Sequence, residues 1–254
     1  DPERKTKSDF WPVEMVIDSG YAMATFHVGD LAPDNKDSFM NGALKLYPEQ
    51  LEANNGMRAI GAWGWGASRV LDYMETDSSI DAKKVAIVGH SRGGKAALWA
   101  AANDTRFAMC ISNCSGNTGM ALSRRKFGET IAVINTAFPH WFTGNYKKYN
   151  DNEEALPVDQ HMLVSLIAPR PLYATNASKD LWADPTGTYL SLKEGEKVYA
   201  LYGLKPGLPA KPPGINQPII KSPLAYHNRE GVHDLTVYDW KNFVVFARRC
   251  FRNP

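Results

Sequence analysis

Ser91 sits in the run Gly89-His90-Ser91-Arg92-Gly93, which reads G-x-S-x-G. A serine hydroxyl attacks a carbonyl only when a base takes its proton, so the run carries weight only if its surroundings expose the hydroxyl and deliver a base. Val85-Ala86-Ile87-Val88, just before it, is a short β-branched run of the kind that forms a strand buried on both faces. Lys95 to Ala102, just after it, is rich in alanine and is a strong helix former. Strand, sharp turn and helix is the setting in which this motif presents a nucleophilic serine. The turn is strained, and a side chain at either flanking glycine is expected to crowd the neighbouring strand and helix. The start of the helix also places Ser91 where negative charge is stabilised.

Six histidines compete to be the base. His27 falls in or at the end of an expected strand. His90 lies inside the turn, where its ring packs or hydrogen-bonds locally. His140 has aromatic company in Phe138-Pro139-His140-Trp141, which fits a pocket wall or the core. His161 opens an expected helix, and His227 falls in an expected loop. His233, in Glu230-Gly231-Val232-His233-Asp234, follows the last expected strand and precedes the final helix. The chain order serine, acid, histidine assigns the base to His233, with His227 the alternative. The acid should follow one of two strands. The loop after Phe107 to Ser112 reads Asn113-Cys114-Ser115-Gly116 and holds no carboxylate. The loop after Pro171 to Asn176 holds Asp180 and Asp184. Asp180 is the better placed to orient an imidazole and stabilise its charged form, the alternative being a solvated loop charge. Asp184 precedes Pro185 and is expected to organise a turn.

The elements that must hold these groups alternate along the chain. Helices are expected over Trp11 to Ser19, Met57 to Met74, Lys126 to Ile134, Gln160 to Ile167 and Leu235 to Phe251. Strands are expected over Tyr21 to Val28, Lys84 to Val88, Phe107 to Ser112, Pro171 to Asn176 and Val198 to Tyr202. Leu31 to Gln50 and the proline- and glycine-rich Lys205 to Pro223 read as loops. The alternation predicts an α/β fold, an α/β-hydrolase with a mostly parallel sheet and helices on both faces. Residues 1–254 are read as one catalytic domain. Only one strand is expected ahead of the Ser91 strand, fewer than this fold usually has. The N-terminal strands are therefore expected to be missing and the chain N-terminally truncated, the alternative being a smaller sheet.

The 254 residues, 44% hydrophobic, can bury a sizeable core. A net charge of +2 gives no field suited to nucleic acid or a membrane surface. No apolar run is long enough to span a bilayer. Asp1 to Lys7 is polar and does not read as a signal peptide. Cys110, Cys114 and Cys250 allow at most one internal disulfide and are not spaced as metal ligands. Nothing in the sequence calls for a metal or organic cofactor.

Several blocks together resemble the glucuronoyl esterases, carbohydrate esterase family 15, and bacterial more than fungal members. They are Gly89 to Lys95, Ser123-Arg124-Arg125 with Phe127-Gly128-Glu129-Thr130, Phe138 to Trp141, Asp159-Gln160-His161-Met162, Ala168 to Pro171 and Trp182-Ala183-Asp184-Pro185. The resemblance runs from about Trp11 to the C-terminus. It implies hydrolysis of esters between 4-O-methylglucuronate on xylan and lignin alcohols, by a secreted or periplasmic enzyme. It implies Ser91 as nucleophile, His233 as base, and Arg92 as a side chain that helps stabilise the oxyanion. It implies that Lys95 reaches sugar hydroxyls, that Glu129 hydrogen-bonds one, and that Trp182 lines the uronate pocket. Cys114 stands where many members carry the acid, which moves that role to Asp180, as in some bacterial members.

On the residues alone, Lys95 could be an exposed helix lysine, Glu129 an exposed helix glutamate and Trp182 a loop-packing side chain. Arg124, Arg125 and Lys126 could be cationic site groups or a solvated helix start. The expected partner is a glucuronoxylan or lignin–carbohydrate ester, met by a monomer, with no nucleic acid and no membrane. A general carboxylesterase or acetyl-xylan esterase, or a weakly active carbohydrate-binding relative, are the competing functions.

Overall fold

Four strands, β1 (Ala86–His90), β2 (Met109–Asn113), β3 (Leu172–Ala177) and β4 (Leu224–Arg229), form one parallel sheet in that order. The structure, a computed structural model, describes residues 9–205 and 207–252; the polar start at Asp1 to Lys7 lies outside them. The helices are α1 (Val13–Asp18), α2 (Pro48–Glu52), α3 (Ala59–Thr76), α4 (Arg92–Asn103), α5 (Ile131–Ala137), α6 (Gln160–Ser165), α7 (Pro185–Leu201) and α8 (Val237–Arg252).

Alternate residues of the strands face opposite layers, as a pleated sheet requires. Cys110, Leu172, Ala174, Leu224 and Tyr226 pack with Leu71 of α3, Leu98 of α4, Val164 of α6 and Tyr189, Leu192 and Tyr199 of α7. Met109, Ile111, Tyr173 and Ala225 pack with Val16 of α1 and Trp240, Phe243 and Phe246 of α8. Helices therefore cover both faces of the sheet, as expected. A third cluster joins Ala32 and Leu44 to Trp63 of α3, Ala96 of α4 and Trp141. No helix among the described residues is long and apolar enough to cross a membrane.

Four expectations for the elements are corrected. Tyr21 to Val28 is not a strand; residues 21–27 run without regular structure and end in a 3-10 turn at Val28–Asp30. The alternation there is a real burial pattern, since Tyr21 and Met23 pack on the α1–α8 layer, but among the described residues this segment is no part of the sheet. Val198 to Tyr202 is the end of α7, not a strand. Asp184 caps that helix by accepting from the Gly187 amide, and Pro185 holds the first position. Buried Tyr189, Leu192 and Tyr199 then share one helical face, so the apolar stripe overrides local β-propensity. The missing strand is β4, where His227 lies rather than in a loop. The helix expected over Lys126 to Ile134 begins later, at Ile131, where Thr130 caps it.

Candidate active site

Each strand delivers one side chain to the C-terminal edge of the sheet, where open α/β sheets bind ligands. Ser91 follows β1, Cys114 follows β2, Asp180 lies just past β3 and His233 just past β4. Together with Arg92, Lys95, Glu129, Trp182, Phe138 and Trp141 they line a cavity of about 350 Å³.

Ser91 adopts φ 56° and ψ −124°, a conformation costly for a side chain with a Cβ. Its amide donates to the Asn113 carbonyl at 2.8 Å, which ties the turn to β2. Arg92 is the first residue of α4, so its backbone amide has no partner within the helix and is a donor beside the hydroxyl. The glycine expectation is half right. A Cβ at Gly89 would lie 2.0 Å from the Gly93 carbonyl oxygen, whereas a Cβ at Gly93 meets nothing within 4 Å. The second crowded glycine is Gly94, whose Cβ would come within 2.9 Å of Ser115 Cβ and 3.1 Å of the Gly89 oxygen.

His233 Nδ1 is 2.6 Å from Asp180 Oδ2. The carboxylate accepts from Nδ1–H, which leaves Nε2 for proton transfer. The two loops are laced together. Ser178 N donates to Arg229 O and Lys179 N to Gly231 O, at 2.8 and 2.9 Å. The buried Arg229 guanidinium then donates to the carbonyls of Val232 and Asp234, on either side of His233, at 2.8 and 2.7 Å. The ring of His90 packs 4.5 Å from that of His233 and bonds Asn113 Oδ1 through Nδ1 at 2.5 Å. Burial, reinforced by the neighbouring His233, outweighs the Asn113 bond and lowers the pKa of His90, which favours its neutral form. Cys114 is 2% exposed, and burial together with the nearby Asp180 charge, which its thiol hydrogen-bonds, pushes that thiol well above its usual range. Its thiol is held in the neutral form beside the Asp180 carboxylate.

Cys114, Asp180 and His233 also bring three metal-ligating atoms within 4.8 Å of one another. Asp180 and His233 Nδ1 are already each other's partners, and a cation there would have to displace the hydrogen bond that orients the imidazole. The geometry is that of a hydrogen-bonded imidazole–carboxylate pair with a thiol beside it.

Lys95 is buried, contrary to an exposed-helix reading. Its ammonium donates to Ser115 O, Asn117 O and Glu129 Oε2 at 2.7, 2.6 and 2.6 Å. All three of its donors are engaged. Burial lowers its pKa, and the Glu129 carboxylate opposes that shift. Glu129 is 7% exposed and precedes α5 instead of lying on a helix. Its amide donates to the Trp182 carbonyl at 3.0 Å. Gly128, at φ +67°, permits that approach, since a Cβ there would lie 2.3 Å from the Trp182 oxygen. The Trp182 side chain stays half-exposed at the cavity rim.

Arg124, Arg125 and Lys126 are not among the residues that line the cavity. Arg124 donates to the Leu156 carbonyl, Arg125 to Asp184 at 2.7 Å, and Lys126 pairs with Glu153 at 3.4 Å. The three cysteines are free. Two residues that sequence reasoning passed over belong to the site. Arg229 holds the His233 loop, and Asp34, from a segment read only as loop, bonds the Arg92 side chain. Neither lies in a motif: Asp34 meets Arg92 across 58 residues, and Arg229 acts through the backbone carbonyls of Val232 and Asp234, whose residue types leave no signature.

A parallel sheet with a serine on a strained strand–helix turn, followed in the chain by a carboxylate and then a histidine, defines an α/β-hydrolase. A sequence model of the family described as glucuronyl esterase, fungi, matches residues 9–203. The chain belongs to the glucuronoyl esterase family. It is similar to a glucuronoyl esterase from Solibacter usitatus, 42% identical with a TM-score of 0.93, over 99% of this chain and 64% of that one. It also resembles a promiscuous family 15 carbohydrate esterase from a marine bacterial metagenome, 47% identical with a TM-score of 0.87, over 94% of this chain and 61% of that one. A 4-O-methyl-glucuronoyl methylesterase 1 from Wolfiporia cocos is 30% identical over 210 residues, 76% of this chain and 51% of that protein. The chain spans about half the length of the curated relatives it matches.

Proposed function

We propose that the chain is a serine esterase that hydrolyses 4-O-methylglucuronoyl esters, with the esters joining glucuronoxylan to lignin alcohols as its polymeric substrate. The observation that carries this reading is the 2.6 Å His233–Asp180 pair in one cavity with Ser91 and the buried Lys95–Glu129 pair. Ser91 Oγ attacks the ester carbonyl while His233 Nε2 takes its proton, and Asp180 stabilises the imidazolium. The negative oxygen that forms is met by the Arg92 amide and guanidinium. His233 then protonates the departing alcohol, and the glucuronoyl group stays on Ser91 as an ester. Water, deprotonated by His233, attacks that ester and releases the uronate. Lys95 and Glu129 form the polar floor under the sugar. Lys95 has no donor to spare, so Glu129, with acceptor positions beyond the one that Lys95 occupies, is the better partner for a sugar hydroxyl. Trp182 offers its ring face to the sugar at the rim. The reading extends to a monomer, secreted or periplasmic, that needs no cofactor.

A broader esterase is the second reading, and the similarity to a promiscuous family 15 esterase favours it. The test compares kcat/KM of the purified protein on benzyl glucuronate and on nitrophenyl acetate, with Ser91→Ala as control. A clear preference for the glucuronate ester, lost with Ser91, supports the first reading. Equal or greater turnover of the acetate supports the second, and Ser91→Ala within about tenfold of wild type would end both.

A further inference from the structure

Asp34 lies far from every motif, yet three side chains converge on its carboxylate. Trp141 Nε1 donates to Oδ1 at 2.7 Å, His140 Nε2 approaches the same oxygen at 2.9 Å, and Arg92 Nη1 donates to Oδ2. Burial alone would raise the Asp34 pKa, but the bonds from Trp141, His140 and Arg92 outweigh it and hold the carboxyl below its usual range. The segment that carries Asp34 is itself pinned. Trp63 Nε1 of α3 donates to the Ala32 carbonyl at 2.8 Å, and Ala43 N donates to Leu31 O at 2.6 Å.

The same arginine is held on its flat face. Its guanidinium carbon lies 4.9 Å from the Trp141 ring and 5.3 Å from the Phe138 ring, and those two rings stack 3.8 Å apart. The carbonyls of His140 and Trp141 accept the amides of Ala59 and Ile60, which fixes that wall on the start of α3. An exposed arginine–aspartate pair alone would be an ordinary surface ion pair and would organise nothing. Here the carboxylate is three-quarters buried and bonds the arginine and the wall against which the arginine stacks. An arginine that is to meet charge appearing on one oxygen must be oriented before that charge forms, since reorientation during the reaction adds to the barrier. Asp34 uses one edge of the guanidinium fork and leaves the other donors available.

We propose that Asp34 is a positioning residue for catalysis, which holds the Arg92 guanidinium in the orientation that meets the developing oxyanion. The proposal rests on the reading of Ser91 and Arg92 given above. It is tested by measuring kcat and KM on benzyl glucuronate for wild type, Asp34→Asn, Asp34→Glu, Arg92→Ala and Asp34→Asn with Arg92→Ala, each checked for folding by circular dichroism. Asp34→Asn should lower kcat by about tenfold to a hundredfold, the scale of a ~1 Å misplacement. Its KM should stay within about twofold, because the lost contact acts in the transition state. Asp34→Glu, which keeps the charge, should recover part of the rate. In the Arg92→Ala background, Asp34→Asn should have no further effect on kcat. Unchanged kcat in Asp34→Asn, or the same loss with and without Arg92, overturns the proposal. If Asp34→Asn unfolds, Asp34→Glu in the two backgrounds decides by the same criterion. Arg92→Ala alone reports on the oxyanion reading: a normal kcat there removes Arg92 from the mechanism, and Asp34's role with it.

Discussion

Two imidazole–carboxylate pairs stand six residues apart, at His227 and His233, and only the second lines the cavity. His233 Nδ1 meets Asp180 at 2.6 Å, and His227 Nε2 meets Asp239 at 2.8 Å. The distances barely differ; the second ring nitrogen does. His227 Nδ1 bonds the Tyr173 hydroxyl at 2.7 Å, and the His227 side chain is 0% exposed. His233 spends one nitrogen on its acid and keeps 41% of its side chain open. Asp239 also accepts from Arg229 Nε, Thr236 N and Thr236 Oγ1, which saturates it. A base must exchange a proton with something that enters, so a fully satisfied, fully buried histidine cannot be one. The buried pair still supports the open one, because Arg229 joins Asp239 to the carbonyls beside His233.

The sharpest break between the pairs is expected at the bases. His233→Ala should lower kcat by about 10⁴-fold or more while leaving the urea midpoint nearly unchanged. A variant that unfolds readily but keeps its turnover would erase the distinction. At the acids, Asp180→Asn should lower kcat by up to about 10⁴-fold. Cys114→Ala, which removes a neutral thiol, should stay within about tenfold, or ~1.4 kcal/mol in the barrier. If Cys114→Ala proves the more damaging while still folded, Asp180 is not the acid. Asp239→Ala should act on folding, since it strands the buried Arg229; a loss of about 3–5 kcal/mol in urea unfolding is expected. A normal unfolding curve with abolished turnover would place Asp239 in the chemistry instead.

The smallest effect concerns pH. Burial would raise the Asp239 pKa, but the bond and charge of His227, the charge of Arg229 and the Thr236 amide hold it below the usual carboxylate value. A carboxyl whose folded pKa is depressed contributes stability that is fully present above its unfolded pKa and is lost as pH falls through the folded one. The urea midpoint should therefore drop on acidification below about pH 4. Asp239→Asn should start lower and show a flatter acid limb. An unchanged acid limb would mean that Asp239 does not titrate with unfolding.

Much of the site was legible because it follows chain order. The Ser91 turn is local, since strand, crowded glycine and helix all lie within one short run, and Asp180 and His233 follow from topology once that turn is placed. Cys114 announced the absent acid by its residue type. Tyr21 to Val28 and Val198 to Tyr202 misled because local pattern reports burial and propensity but not partners. Among the described residues the first is no part of the sheet, and the second lies on a capped helix with a buried face.

The residue types and their order along the chain determined the class of fold and pointed to Ser91, Asp180 and His233 as the candidate nucleophile, acid and base. Tertiary structure alone decided that Lys95 is saturated, that Glu129 is buried off its helix, and that Gly94, not Gly93, is the second crowded glycine beside Gly89. It also decided that Asp34 meets Arg92 across 58 residues of chain. The physical reason is reach. A turn, a cap or a strand is specified by neighbours in sequence, whereas a hydrogen bond or a close approach between distant segments exists only once packing has brought them together.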